Sequence, residues 1–138
     1  MIHARKVAKF LGTVHTEVTF TKEEALAIIP KIVKYCGSQD VTTIRASIGM
    51  YFVAKHIQQK TRFKVIMSSD ISDEVLVYLF AFELKNGVQI HKAAKTLVKE
   101  VHKYDIVRVD RIVSNACSLE SRLPFSDQDY IKACWSVP

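Results

Sequence analysis

Phe63-Lys64-Val65-Ile66-Met67-Ser68-Ser69-Asp70-Ile71-Ser72-Asp73-Glu74 is the stretch from which the fold can be read. Phe63–Met67 reads as one buried strand, and the chain then turns polar at once. An apolar run that ends in hydroxyls and carboxylates is the expected carboxyl end of a parallel strand, where open α/β sheets bind their ligands. The expected class is therefore α/β, with a parallel sheet. Ser68, Ser69 and Ser72 with Asp70, Asp73 and Glu74 could hold a metal, a phosphate or an amine. The same residues also read as a plain strand, turn and helix start, with Ser72 or Asp73 as the cap and Glu74 in the first turn. Local composition leaves both open.

Upstream, Ile2–Leu11 has a helical pattern with Val7, Phe10 and Leu11 on one face, and Gly12 ends it. Thr13–Phe20 alternates and is rich in β-branched residues, so a strand is expected. Thr21 and Glu24 form a capping box. The helix they open runs to about Tyr35, with Ala25, Leu26, Ile28, Ile29, Ile32 and Val33 inward, and Pro30 should kink it. Thr42 or Thr43 is a natural cap for a helix from Ile44 to about Gln59, with Ile44, Ile48, Tyr51, Phe52 and Ile57 inward. Arg45 lies in its first turn, where a cation opposes the helix dipole. Either an anion sits there or the side chain reaches out to solvent.

Downstream, a short helix is expected over Val75–Leu84 and a turn at Lys85-Asn86-Gly87. Ile90–Tyr104 is a helix with a stripe of Lys92, Lys95, Lys99 and Lys103, the pattern of a solvated face. Asp105–Ala116 is a further helix, carrying Arg108, Asp110 and Arg111. Ser118–Ser126 reads as a loop, and Asp127 as the cap of a last helix that fades at Trp135.

The 138 residues amount to one domain's worth of chain, with a net charge of +6. Basic charge permits acidic partners, but no aromatic residue is interleaved with the lysines, so nucleic acid is not the expected partner. Three cysteines without a C-x-x-C pair read as reduced thiols of a cytoplasmic-type compartment. No apolar run approaches the ~20 residues of a membrane span. None of the five histidines has metal-ligand spacing with cysteine or another histidine. The common glycine-rich phosphate loops are absent from these residues.

Three segments together resemble asparagine synthetase of the glutamine-hydrolysing type. Asp40–Tyr51, D-V-T-T-I-R-A-S-I-G-M-Y, is similar to a substrate-contacting stretch of that family. Val65–Glu74 resembles its S-G-E-G-S-D-E strand and loop. Tyr104–Asp127 resembles its Y-D-x-x-R-x-x-(K/R)-x-x-S-x-x-x-x-x-E-x-R-x-P-F-x-D block, the most specific of the three. The resemblance implies an adenine-nucleotide α-hydrolase-like (ATP-pyrophosphatase) sheet, here partial, followed by a helical C-terminal portion. It further implies use of ATP with Mg²⁺, formation of β-aspartyl-AMP from aspartate, and displacement of AMP by ammonia. Carried over by position, Asp70 falls on the catalytic glutamate, and Ser68 and Ser69 fall where the nucleotide loop begins. Asp73 and Glu74 keep an acidic pair, with Asp73 the candidate Mg²⁺ ligand. Thr42, Thr43 and Arg45 keep residues on the substrate and pyrophosphate side, Arg45 with a catalytic role. Glu120, Arg122 and Asp127 keep the pattern of the last block.

The departures bear on activity. The family's Ser-Gly-Gly-x-Asp-Ser loop is not in this sequence, and its strand is expected to precede Met1. Residue 2 is Ile where the glutaminase has its nucleophilic Cys, and the family's later lysine region is expected beyond Pro138. Two loop glycines are replaced by Ser69 and Ile71, and a β-branched residue is poorly tolerated at positive φ. Asp70 is one methylene shorter than the glutamate. A Gly-Gly pair is reduced to Val77. Two readings of a single truncated domain over 1–138 follow: part of an amide-forming ligase, active only with the missing segments supplied, or a remnant that binds a nucleotide or a partner synthetase chain without turnover. A missing first strand would leave a sheet edge open to self-association or to such a partner. Both readings expect Arg45 to face the turn after Met67 across a polar crevice.

Overall fold

A computed structural model describes residues 2–76 and 86–136. The protein is mostly helical, with one small parallel sheet. Val77, and the parts of the expected Val75–Leu84 helix and of the Lys85 turn that fall between, lie outside the described residues.

Helix α1 spans Ile2–Leu11 and ends at Gly12, whose φ of 65° is the left-handed conformation glycine tolerates. The face that carries Val7, Phe10 and Leu11 is exposed, with Phe10 at 88%, and only Ala8 is buried. Thr13–Phe20 forms no strand. Alternation favours extended chain, but a strand also needs a hydrogen-bonding neighbour, and none pairs with it among the described residues. Phe20 instead stacks on Phe52, with ring centroids 4.6 Å apart.

Helix α2, Lys22–Cys36, opens with the expected capping box: Thr21 Oγ1 accepts from the Glu24 amide, and the Glu24 carboxylate accepts from the Thr21 amide. Gly37, at φ 56°, closes it. Helix α3 spans Val41–Lys60, three residues earlier than expected, because Asp40 rather than Thr42 or Thr43 is its cap; the Asp40 carboxylate accepts from the Thr43 amide at 2.7 Å. That hydrogen bond holds the Asp40 carboxyl below its ordinary range.

Strand β1 is Val65–Met67, not the five-residue buried strand expected. It pairs in parallel with β2, Glu120–Arg122, in the register Val65 to Glu120, Ile66 to Ser121 and Met67 to Arg122. The expected Ser118–Ser126 loop thus contains the second strand. Successive side chains alternate faces. Ile66 packs on the core, while Val65, Met67 and Phe63 are exposed, so the described helices cover one face of this pair only.

Helix α4, Ser72–Leu76, starts after the turn. Ser72 and Asp73 are inside it, so neither is its cap. Helix α5, Gly87–Glu100, is capped by Asn86, whose side chain accepts from the Gln89 amide. Helix α6, Asp105–Val109, runs on as a π-helical segment, Asp110–Asn115. The wider winding accompanies burial of Val109, Ile112, Val113 and Cys117. These join Ile32 and Cys36 of α2, Ile44, Tyr51 and Ala54 of α3, and Leu119 in the main core. Burial pushes the Cys117 thiol above its ordinary range. Arg111 reaches from the π segment to the Cys36 carbonyl at the end of α2, a cation at the negative end of a helix. Helix α7, Gln128–Ser136, has the expected Asp127 cap, with its carboxylate accepting from the Asp129 and Tyr130 amides. A second core of Ile71, Val75 and Val101 packs with Leu123, Phe125 and Ile131.

Candidate functional site

The turn after β1 is built by its own side chains and by one arginine from α6. Ser68 Oγ–H donates to Asp70 Oδ2, and the Ser68 amide donates to the Arg122 carbonyl at 3.0 Å, extending the parallel pairing by one bond. Arg108 Nη2 donates to Asp70 Oδ1 at 2.9 Å and to Asp105 Oδ1 at 2.7 Å. All three side chains are largely removed from water, at 13% exposure for Arg108, 15% for Asp70 and 28% for Asp105. Charge-assisted hydrogen bonds of this kind are stronger than neutral ones.

Ile71 holds the turn from beneath. Its φ is 77°, and its side chain is buried at the centre of the second core. The glycine-to-isoleucine departure therefore falls on a left-handed backbone position. Such a conformation costs a non-glycine residue about 1–2 kcal/mol. Ser69, at the other altered glycine, is not at positive φ.

Two cavities meet at this arginine. One, of about 210 Å³, is lined by Ser69–Glu74 with Asp105 and Arg108. The other, of about 400 Å³, is lined by Asp40, Thr42, Thr43, Ala46, Tyr104, Asp105 and Arg108. Asp105 and Arg108 thus belong to both walls, and the first turn of α3 is brought beside the acidic turn of β1. Burial pushes the Asp105 carboxyl above its ordinary 3.8. The Arg108 charge opposes that shift, while Glu74 and Asp70 add to it.

Of the residues expected from sequence, Thr42, Thr43, Ser69, Asp70, Asp73 and Glu74 are gathered on these two cavities, and Ser68 supports Asp70. Glu74 is buried, and Asp73 is exposed. Arg45 is not with them. It lines a separate apolar groove with Ile29, Val33, Gln39, Val41, Ile44 and Ile48, so the expected approach of Arg45 to the turn is not observed. The reason is helical geometry: Thr42, Thr43 and Ala46 together set the face of α3 that lines the cavity, and at about 100° per residue Arg45 lies roughly 110° away from the middle of that face. Glu120, on β2, pairs with Arg122 and is in neither cavity. The cation at the crevice is Arg108. Its signal was in the Tyr104-Asp105-x-x-Arg108 spacing, which sets an acid and a base one helical turn apart.

Among the described residues no three His, Cys, Asp or Glu side chains form a group that could hold a metal ion. A Mg²⁺ ion carried with phosphates needs only one or two carboxylates. Asp73, exposed on the wall of the smaller cavity, is suited to that lesser role.

The fold is a mostly helical α/β protein, with a polar crevice at the carboxyl end of a parallel strand, the position where open α/β sheets characteristically bind ligands. Comparison with known proteins gives the family. The asparagine synthase family model matches residues 1–86 and 82–138. The chain is 36% identical over 139 aligned residues to asparagine synthetase [glutamine-hydrolyzing] of Gallus gallus, 34% to that of Mus musculus and 33% to that of Homo sapiens. Each match covers all of this chain and 25% of the relative. The chain belongs to the asparagine synthase family and spans about a quarter of the length of these relatives. No described helix is long and apolar enough to cross a membrane.

Proposed function

We propose that this chain carries one portion of an asparagine-synthetase-type site, in which ATP activates aspartate as β-aspartyl-AMP and ammonia displaces AMP to give asparagine. The observation that supports it best is the sharing of Asp105 and Arg108 by the two cavities, which joins the Thr42–Thr43 wall to the Asp70–Glu74 turn. On this reading 1–138 is a single partial domain, and its two-stranded parallel sheet belongs to a larger sheet of the ATP-pyrophosphatase type.

Each residue then has a task. Asp70 takes the proton that ammonia loses as the new C–N bond forms; Ser68 and Arg108 orient it and occupy two of its roughly four lone-pair positions. Arg108 offers positive charge to a departing phosphate oxygen. Thr42 and Thr43, in the first turn of α3, add hydroxyls to the phosphate side. Asp73 would hold Mg²⁺ together with phosphate oxygens, and the ion would supply charge neutralisation there.

A second reading is favoured by the strain at Ile71 and by the tying of Asp70 to Arg108. On it, these residues form a nucleotide- or partner-binding module without turnover. The isolated chain has no segment resembling the family's phosphate loop, so it should release no AMP or pyrophosphate from ATP, aspartate and ammonia. It should still bind pyrophosphate weakly, at about millimolar affinity or −4 kcal/mol, and more tightly with Mg²⁺. A pyrophosphate titration by NMR tests this. Shifts at Ser69–Glu74, Thr42 and Thr43 that vanish in Arg108→Gln support the site; shifts confined to Lys92–Lys103 would refute it. Aspartate-dependent pyrophosphate release above a protein-free blank would overturn the binding-only reading.

A further inference from the structure

A second polar cluster lies on the α2–α3 pair and shares no residue with the two cavities just described. Tyr51 is 2% exposed, yet its hydroxyl oxygen is met by two ammonium groups. Lys31 Nζ donates to it at 3.2 Å and Lys55 Nζ at 3.1 Å. Both cations also lie over the Tyr51 ring, at 5.6 and 5.4 Å from its centroid, and Lys31 lies 5.6 Å from the Tyr35 ring. Both being bonded to one oxygen, the ammoniums are within about 6 Å of each other, a separation at which like charges repel. Among the described residues neither has an ion-pair partner.

The hydrogen-bond inventory defines what is wanted there. A phenol has one proton to donate and two lone pairs to accept with. Both lone pairs of Tyr51 are taken by lysines, so its own proton must go elsewhere. Each ammonium keeps two further N–H groups. Among the described residues no carboxylate or carbonyl oxygen accepts from the O–H or from either ammonium, and Lys31 is exposed to solvent. A single carboxylate would neutralise one of the two charges, whereas a phosphate dianion would match both and accept from all three groups.

We infer that Lys31, Lys55 and the Tyr51 hydroxyl form a binding site for a phosphate group, supplied as free phosphate or as a phosphate monoester. The charge balance of the cluster agrees. Burial pushes the Tyr51 phenol up, but the hydrogen bonds and charges of Lys55 and Lys31 outweigh it and hold the phenol below its ordinary range. The other titratable groups facing the cluster are Tyr35 on α2 and Cys117 after the π segment, whose thiol feels both lysine charges. A bound phosphate, by neutralising the lysines, would release the phenol upward.

The test uses the whole chain at fixed ionic strength. Inorganic phosphate, glycerol phosphate and acetate are titrated separately, with the side-chain NMR signals of Lys31, Lys55 and Tyr51 followed. Phosphate and glycerol phosphate should shift all three with saturation, and acetate should bind at least about tenfold more weakly. Tighter binding of the monoester would assign the site to a small phosphorylated molecule, and equal or weaker binding to free phosphate. Lys31→Gln and Lys55→Gln should each weaken binding about tenfold, and Tyr51→Phe, which keeps both charges, by about two- to tenfold. The absorbance titration of Tyr51 should move to higher pH when phosphate is present. Unmoved lysine signals, acetate binding as tightly as phosphate, or unchanged affinity in both lysine variants would each overturn the assignment.

Discussion

Arg108 and Asp70 lie 38 residues apart in sequence and 2.9 Å apart in space, and the same arginine nitrogen also holds Asp105. That three-membered cluster ties the turn after β1 to helix α6. It is also the point where the two cavities of the candidate site meet. Removing the arginine should leave two largely buried carboxylates facing one another with Glu74 nearby. Breaking a buried pair from one side commonly costs 3–5 kcal/mol. With the partial exposure of Asp105, Arg108→Met should cost about 2–4 kcal/mol. The denaturant midpoint measures it, and a loss below about 1 kcal/mol would mean that the cluster is solvated like a surface pair.

The raised Asp105 carboxyl makes a pH prediction of definite sign. Its folded value lies above its unfolded value, so the folded state takes up the proton more readily. The contribution of Asp105 to stability is therefore fully present below its ordinary 3.8 and is lost as pH rises through the raised value. Asp105→Asn should remove that loss. At neutral pH the variant should be as stable as the parent or more so, and the difference should close toward pH 4. Denaturant unfolding from pH 4 to 8 checks it, and a variant that is less stable at pH 7 than at pH 4, relative to the parent, contradicts the sign.

Asp40 behaves in the opposite sense. The Thr43 amide holds its carboxyl low, so the stabilisation it gives α3 is present above its ordinary value and lost as pH falls through the lowered one. Asp40→Ala should lower the melting temperature at pH 7 and much less in strong acid, whereas Thr42→Ala should leave it nearly unchanged. Equal losses for the two variants would return the cap to the threonine.

Ile71 should invert a familiar order. Replacing a buried isoleucine by alanine costs about 2–5 kcal/mol, and glycine elsewhere costs more still. At φ 77° alanine keeps the backbone strain, while glycine relieves about 1–2 kcal/mol of it. Ile71→Gly should therefore be no less stable than Ile71→Ala. Thermal unfolding of the two variants decides, and a clearly weaker glycine variant would show that the turn carries no strain.

Capping chemistry and helix periods were legible in the sequence because both act within a few residues. Thr21 with Glu24 and Asp127 before α7 each bind backbone groups one turn away, and both stand where local chemistry puts them. The inward positions Ile44, Tyr51 and Ile57 follow from the helical period alone. The acidic turn was legible too, as the polar end of an apolar run, and its resemblance to a known family supplied roles for its residues. What pairs across long distances was not. Thr13–Phe20 has the composition of a strand but no neighbour to complete its hydrogen bonds. Glu120–Arg122 has little strand character and becomes one because the β1 edge lies beside it. The cation of the crevice likewise depends on tertiary packing. Arg45 was expected there from its place near a helix start, but the angle between successive residues carries it into an apolar groove. Arg108 arrives because α6 packs on α3 and beside the turn. Local hydrogen bonds and periodicity are properties of neighbouring residues and can be read in order; sheet partners and buried ion pairs are set by which surfaces exclude water together, and only the folded chain decides that.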